Sequence, residues 1–163
     1  MAAAIFAKAA HAQGVSDQAL AASAGFLEGG RPAHEHVLTL LTERGIDMSR
    51  KRSQKLSDQV IEHADLILTM TSEHARGVVS RFPSAISDVY TLRHFGTIVT
   101  PRDSHVPVRD WLDELNANTR RSYLGDSEEL DIDDPIGKDL DVFTDLREEL
   151  ESTIGWIMNC AYE

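Results

Sequence analysis

The stretch Asp65-Leu66-Ile67-Leu68-Thr69-Met70 constrains the fold more than any other part of the chain. Its apolar residues run on without alternating with polar ones, so a strand built from them has no face suited to water. A short strand with two dry faces belongs in a parallel sheet covered by helices. Val89–Leu92 is a second short run of the same kind. Helical patterns flank both, and strands alternating with helices imply an α/β, three-layer architecture around a small parallel sheet with right-handed crossovers. The chain has 163 residues, enough for one sizeable core, and no linker, repeat or low-complexity tract divides it. A single domain over 1–163 is expected.

The remaining elements follow from periodicity and punctuation. Ala2–Gln13 consists of good helix formers, with Ile5 and Phe6 as an apolar stripe and Gly14 as a stop. Ala19–Ala24 is short and weakly apolar, a strand only if its neighbours bury it. Glu28-Gly29-Gly30-Arg31-Pro32 is a loop, Ala33–Arg44 a helix closed by Gly45, and Ser49–Lys55 a basic, irregular stretch. Ser57 and Ser72 are candidate caps for helices leading into Val60-Ile61 and out to Arg81. Phe95–Val99 reads as a helical turn or loop, and Pro107 opens a helix through Trp111, Leu112 and Leu115. Asp126–Gly137 is an acidic loop. Asp139–Ala161 is a long amphipathic helix, with Leu140, Phe143, Leu146, Leu150, Ile154 and Ile157 at steps of three or four.

A net charge of -11 argues against nucleic acid or an anionic membrane as partner, because both are held by basic patches that release counterions. No run approaches the roughly 20 apolar residues that span a bilayer. The alanine-rich start lacks a basic leader and is interrupted by Lys8, so it reads as a helix rather than a signal peptide, in a cytoplasmic protein. The acidic stretches Asp126–Asp134 and Asp139–Glu151 read as a solvated loop and helix face. The single cysteine, Cys160, rules out an internal disulfide and suits a reducing compartment. His34 and His36 have neither helical i, i+4 spacing nor a cysteine partner, so no metal site or cofactor is expected; they suit surface or cap positions.

Four segments, in order, resemble the low-molecular-weight protein tyrosine phosphatase family: Met1-Ala2-Ala3-Ala4-Ile5-Phe6, Ser23-Ala24-Gly25, Asp65–Met70 and Asp134-Pro135. The resemblance is strongest across Met1–Met70 and Asp134–Leu150 and weakest across Ser80–Glu129. It implies a four-stranded parallel sheet in the order 2-1-3-4. It also implies hydrolysis of phosphomonoesters, chiefly phosphotyrosine on phosphoprotein substrates, through a phosphocysteine intermediate. In that chemistry a thiolate attacks phosphorus, backbone N–H groups cradle the phosphoryl oxygens and a loop arginine clamps them. An aspartic acid on a distant loop protonates the leaving group and then acts as general base toward water. Asp134 matches that acid, and Pro135 stiffens the backbone beside it. Ser23 matches a serine whose hydroxyl supports the phosphate loop; as a residue on its own it reads as a strand-end serine bonding nearby backbone.

The family's central first strand and its C-x5-R-S-P loop precede the segment resembling Met1–Phe6, and neither is encoded in these 163 residues. Cys160 is no replacement, since it lies on the apolar side of the last helix without a glycine-rich nest or an arginine five residues on. One cysteine also cannot run the relay of the arsenate reductases that share the fold. The chain by itself is therefore expected to be inactive. A start codon lying further upstream, a shortened non-catalytic relative and an engineered or damaged version all account for the deficit. The second would act as a protein-binding module through the Asp126–Asp134 loop or an exposed strand edge, including self-association. Other departures concern specificity and loop support. Ile136-Gly137 stand where many members have an aromatic pair, Arg50 where some have a bracing histidine, and Thr71 where an aspartate is frequent.

Overall fold

The computed structural model describes residues 1–119 and 128–163, so Asp126 and Ser127 of the acidic loop lie outside the described residues. In chain order the helices are α1 (Ala2–Ala12), α2 (Glu35–Glu43), α3 (Asp58–Glu62), α4 (Ser72–Arg81), α5 (Leu92–Ile98), α6 (Val108–Asn118) and α7 (Leu140–Tyr162). The strands are β1 (Ile67–Thr69) and β2 (Val89–Thr91). The residues form two compact units, one of Met1–Leu56 with Asp134–Met158 and one of Ser57–Asp133 with Asn159–Glu163.

The second unit holds the sheet. β1 and β2 are parallel, with Ile67 opposite Val89, Leu68 opposite Tyr90 and Thr69 opposite Thr91. Parallel neighbours need a crossover, and α4 followed by a 3-10 turn at Pro83–Ser87 supplies it. α4 and α5 both pack on the two strands. All three residues of β2 are buried, as its unbroken apolar run requires, whereas Ile67 and Leu68 of β1 are only half-buried. The N–H of Ile67 donates to the Asp88 C=O at 2.7 Å, so by ladder geometry Leu68 directs its backbone groups to the opposite edge, where no strand pairs among the described residues.

Helix boundaries in this unit differ from the sequence expectation in two places. α4 is capped by Thr71, whose Oγ1 accepts from the His74 N–H at 3.1 Å, and not by Ser72, which is the first helical residue and is engaged elsewhere. Leu92 opens a full helix rather than closing a strand, because Thr91 caps it by accepting from the His94 N–H at 3.4 Å. The short turn expected at Phe95–Val99 is the second half of that helix. Fully buried Phe95 meets Tyr90 edge-on at 5.3 Å between ring centres.

The first unit is helical. α1 ends at Gly14 and α2 at Gly45, whose φ values of 72° and 73° are the left-handed conformation that glycine adopts freely. His34 caps α2, its Nδ1 accepting from the His36 N–H at 3.3 Å, and its ring stacks on Phe143 of α7 at 4.9 Å. Ala19–Ala24 is not a strand. Apart from Ala19 its residues are exposed, so the burial on which a weakly apolar strand depends is missing, and the ladder contact nearby among the described residues is an isolated parallel bridge between Gly25 and Lys55. On α7 the buried face runs through Phe143, Leu150, Ile154 and Ile157, whereas Leu140, at the start of the helix, is exposed and Leu146 is only half-buried. Arg147, one turn beyond Phe143, falls on that face and is 5% exposed.

Candidate active site

Asp134 opens a tight turn in the first unit. Its Oδ1 accepts the Ile136 N–H at 3.0 Å, the Pro135 C=O accepts the Lys138 N–H at 2.9 Å, and Gly137 takes φ 83° to close the bend. An Asp-Pro-x-Gly sequence favours this geometry. The aspartate carboxylate mimics a backbone acceptor, the proline presets φ, and the glycine accepts a positive φ without strain. Asp134 is exposed, and its second carboxylate oxygen forms no hydrogen bond among the described residues. Such a carboxyl group can exchange a proton with a ligand while the turn holds it by its other oxygen. Ile136 next to it is 67% exposed, an aliphatic surface at the position where an aromatic wall would stack on a phenol ring.

Ser23 lies on the exposed approach to a laced pair of segments in the same unit. The Gly25 N–H donates to the Gln54 C=O at 3.0 Å, and the Leu56 N–H donates to the Gly25 C=O at 2.8 Å. Gly30 and Ser53 continue the lacing, the Gly30 N–H reaching the Ser53 C=O and the Ser53 N–H reaching the Arg31 C=O, each at 2.8 Å. Lys55 pairs with Glu28 across it. Among the described residues the Ser23 hydroxyl makes no hydrogen bond, and Ser23 and Asp134 do not bond one another. Arg50, expected to stand in place of a bracing histidine, is exposed and makes no side-chain hydrogen bond among the described residues.

Cys160 is 2% exposed, and burial pushes its thiol above the ordinary range, the opposite of what a nucleophile requires. The arginine closest to it in the hydrogen-bond pattern, Arg102, bonds backbone through its own amide, Nε and Nη1. Its N–H donates to the Cys160 C=O at 2.7 Å, its Nε to the Ala161 C=O at 2.6 Å, and its Nη1 to the Val106 C=O. These bonds tie Arg102 to the end of α7. Among the described residues no group of three or more His, Cys, Asp and Glu side chains can hold a metal ion.

Sequence reasoning missed an anchor of the acidic loop within the second unit. In the second unit Asp131 accepts from Ser72 twice, from the backbone N–H to Oδ1 at 2.6 Å and from the hydroxyl to Oδ2 at 3.2 Å. The Ile132 N–H donates to the Met70 C=O at 2.8 Å, Ile132 is 4% exposed, and Arg93 donates to the Asp131 C=O. The part of the acidic loop from Asp131 is therefore anchored, not merely solvated. No local signal separates Asp131 from its acidic neighbours, because its partner Ser72 is 59 residues away.

The profile of the low molecular weight phosphotyrosine protein phosphatase family matches residues 1–116. The chain is 32% identical over 129 residues to the protein-arginine-phosphatase of Geobacillus stearothermophilus, covering 79% of this chain and 67% of that protein. It is 28% identical over 116 residues to the probable low molecular weight protein-tyrosine-phosphatase EpsP of Ralstonia solanacearum, covering 71% of this chain and 58% of that protein. Among solved structures, the low molecular weight protein tyrosine phosphatase from T. tengcongensis superimposes with a TM-score of 0.71 at 27% identity, over 96% of this chain and 86% of that one. No described helix is long and apolar enough to cross a membrane.

Proposed function

The chain belongs to the low molecular weight phosphotyrosine protein phosphatase family, and on that premise we propose that it carries the general acid of a protein phosphatase, Asp134, within a single phosphatase-like domain spanning 1–163. The observation that carries this reading is the turn at Asp134-Pro135-Ile136-Gly137. It presents an exposed carboxyl group held through one oxygen, with the other available to a substrate. In the family's reaction a cysteine thiolate displaces the leaving group from phosphorus while the aspartic acid donates its proton to the departing oxygen. Water then attacks the phosphocysteine, giving its proton to the aspartate and freeing inorganic phosphate and the thiolate. Asp134 is the group here suited to both proton transfers, and Ser23 is the candidate support for the phosphate loop.

The substrate is a phosphorylated protein side chain. Ile136 offers no aromatic face to a phosphotyrosine ring, which weakens a preference for tyrosine, and a relative at 32% identity is a protein-arginine-phosphatase. Phosphotyrosine and phosphoarginine are therefore both to be tried.

These 163 residues contain one cysteine, and it is buried with a raised thiol pKa, so by themselves they are inactive in this proposal. The purified chain should not turn over para-nitrophenyl phosphate, and Cys160→Ser should change nothing. A version carrying the family's C-x5-R segment ahead of Met1 should hydrolyse it, and Asp134→Asn in that version should slow attack on phosphoesters with poor leaving groups by about 10²–10⁴-fold. Turnover by the 163-residue chain that Cys160→Ser abolishes would overturn the assignment. The half-buried, unpaired edge of β1 favours a second reading, a non-catalytic module that captures a strand from a partner or from another copy. Persistent inactivity of the extended version, together with concentration-dependent association, would support that one.

A further inference from the structure

We propose that the basic loop Ser49–Lys55, together with Arg31, is a docking surface for an acidic segment of a partner polypeptide; that this polypeptide is the phosphoprotein substrate rests on the phosphatase reading. The loop carries Arg50, Lys51, Arg52 and Lys55 and no acidic residue, so four of the chain's 16 lysines and arginines fall within seven positions of a protein whose net charge is -11. The lacing in the first unit adds a fifth cation. The Arg31 N–H donates to the Ser53 Oγ at 3.1 Å and the Ser53 N–H to the Arg31 C=O at 2.8 Å, which fixes Arg31 beside the loop while the residue stays exposed. The loop itself has a defined shape. Asp47 accepts the Ser49 N–H at 2.8 Å, the Lys51 N–H donates to the Met48 C=O at 3.1 Å, and Arg52 Nη1 donates to the Ser49 and Lys51 carbonyls at 2.9 Å each.

Elsewhere in the first unit cations are engaged. Arg44 and Arg147 pair with carboxylates, Lys55 pairs with Glu28, and Lys8 donates to the Arg44 C=O. Arg31, Arg50 and Lys51 have no side-chain partner among the described residues, and Arg52 bonds only carbonyls of its own loop. Asp47, the nearest acid in the sequence, is turned to Ser49, whose hydrogen bonds hold its carboxyl below the ordinary range. Cations crowded in this way repel one another, and an anionic ligand relieves the repulsion. Guanidinium forks match carboxylates with two bonds at once, which is how arginine clusters read acidic motifs. A few carboxylates on a flexible chain can reach so small a patch. Duplex nucleic acid, with a charge about every 1.7 Å, would also lie against the surrounding acidic surface, so a polypeptide is the favoured occupant. The loop is laced to the chain that carries Ser23, since the Gln54 C=O accepts from Gly25 two residues beyond it. Residues flanking a phosphorylated side chain can be held there.

Docking needs neither Asp134 nor a thiolate, so the 163-residue chain serves for the test, with a short unphosphorylated peptide of alternating glutamate and serine as probe. Titrated into isotope-labelled protein, the peptide should shift the amide resonances of Arg31 and Arg50–Ser53 saturably, and the same peptide with glutamine for glutamate should not. Raising salt from about 50 mM to about 200 mM should weaken the binding. Arg50→Ala and Lys51→Ala should each weaken it by about two- to fivefold, the effect of removing one exposed ion pair, and the double change by more. Arg76→Ala, at an exposed cation of α4, should leave it unchanged. Should the loop variants fail to fold, Arg31→Ala, on the other laced segment, should weaken binding to the same degree. Absence of saturable shifts, equal shifts at cations throughout the chain, or binding that survives the double change would overturn the proposal. Tighter binding of a single-stranded oligonucleotide than of the peptide at the same amides would overturn it too, as would self-association abolished by the double change in place of any peptide binding. The phosphatase reading is decided separately, by Asp134→Asn in the extended version.

Discussion

Arg44 grips Glu151 with two N–H···O bonds, Nε to Oε1 at 2.8 Å and Nη2 to Oε2 at 3.2 Å, joining the end of α2 to the middle of α7. The fork geometry matches a guanidinium to both carboxylate oxygens at once. The hydrogen bond from Arg44 is the main reason the Glu151 carboxyl is held below its usual value of 4.5, with the charges of Arg44, Arg147 and Lys8 adding to it against the cost of burial. The group is therefore deprotonated more readily in the folded state than in the unfolded one. Its contribution is complete above pH 4.5 and is lost as pH falls through the lower folded value. Glu151→Gln should lower the unfolding midpoint at pH 7, and the gap to the parent protein should shrink below pH 4.5. Thermal unfolding followed from pH 7 to pH 3 measures this, and a gap independent of pH would contradict it.

His94 gives the opposite residue type with the same sign. Burial at the start of α5 disfavours its charged form and lowers its pKa from 6.5. Between that lowered value and pH 6.5 the unfolded chain binds a proton that the folded chain does not, so stability rises with pH across this window and falls on acidification. His94→Gln should flatten the dependence just below pH 6.5 while leaving the steeper acid limb from the carboxylates. Urea titrations at half-unit steps would resolve the two limbs.

The parts of the fold visible in the sequence were those set by local patterning. The short strands within the runs Asp65–Met70 and Val89–Leu92, the α7 stripe from Phe143 to Ile157 and the stops at Gly14 and Gly45 each encode their own geometry within a few residues. Long-range partners were not visible in this way. Ser72 was read as a cap because serine commonly caps helices, yet Thr71 one residue earlier takes the role and Ser72 serves Asp131 instead. Ala19–Ala24 depended on a neighbouring strand to bury it, and composition carries no information on whether one is present. At the candidate site, Asp134 was legible because Asp-Pro dictates a turn, whereas the Asp131 anchor joins residues 59 apart and leaves no local trace.

Arg147 is a cation on the buried stripe of α7, flanked by Glu148 at 2.9 Å and by Glu43 and Glu151 at 3.9 Å. Its long apolar stem fills the turn between Phe143 and Leu150 while its head meets carboxylates at the rim. Arg147→Ala removes both the packing and the only buried counter-charge to these acids among the described residues, and should cost about 2–4 kcal/mol. Arg147→Met keeps the volume and dispenses with desolvating a charge, so it should lie within about 1 kcal/mol of the parent. Denaturant midpoints at constant m-value would distinguish the two. Equal losses in both would mean that charge, and not packing, sets the effect.

Gly29 is required by a close backbone approach and not by an unusual φ. A Cβ there would lie 2.7 Å from the Ser53 carbonyl oxygen and 3.0 Å from the Gln54 Cα, both main-chain atoms that cannot swing aside. Gly29→Ala must therefore push the Gly25–Arg31 segment away from Ser53–Leu56, stretching the bonds from Gly30 to Ser53 and from Gly25 to Gln54. Overpacking of this kind typically costs about 1–3 kcal/mol. Gly30→Ala tests a different constraint, since its φ of 91° strains any side chain although the space around it is open. The amide of Gly30, bonded to the Ser53 carbonyl, should exchange faster in Gly29→Ala, and the unfolding midpoint should fall with it. Faster exchange confined to Gly30, with Gly25 and Leu56 still protected, would show that the lacing yields at one end only and that the segment carrying Ser23 is not displaced.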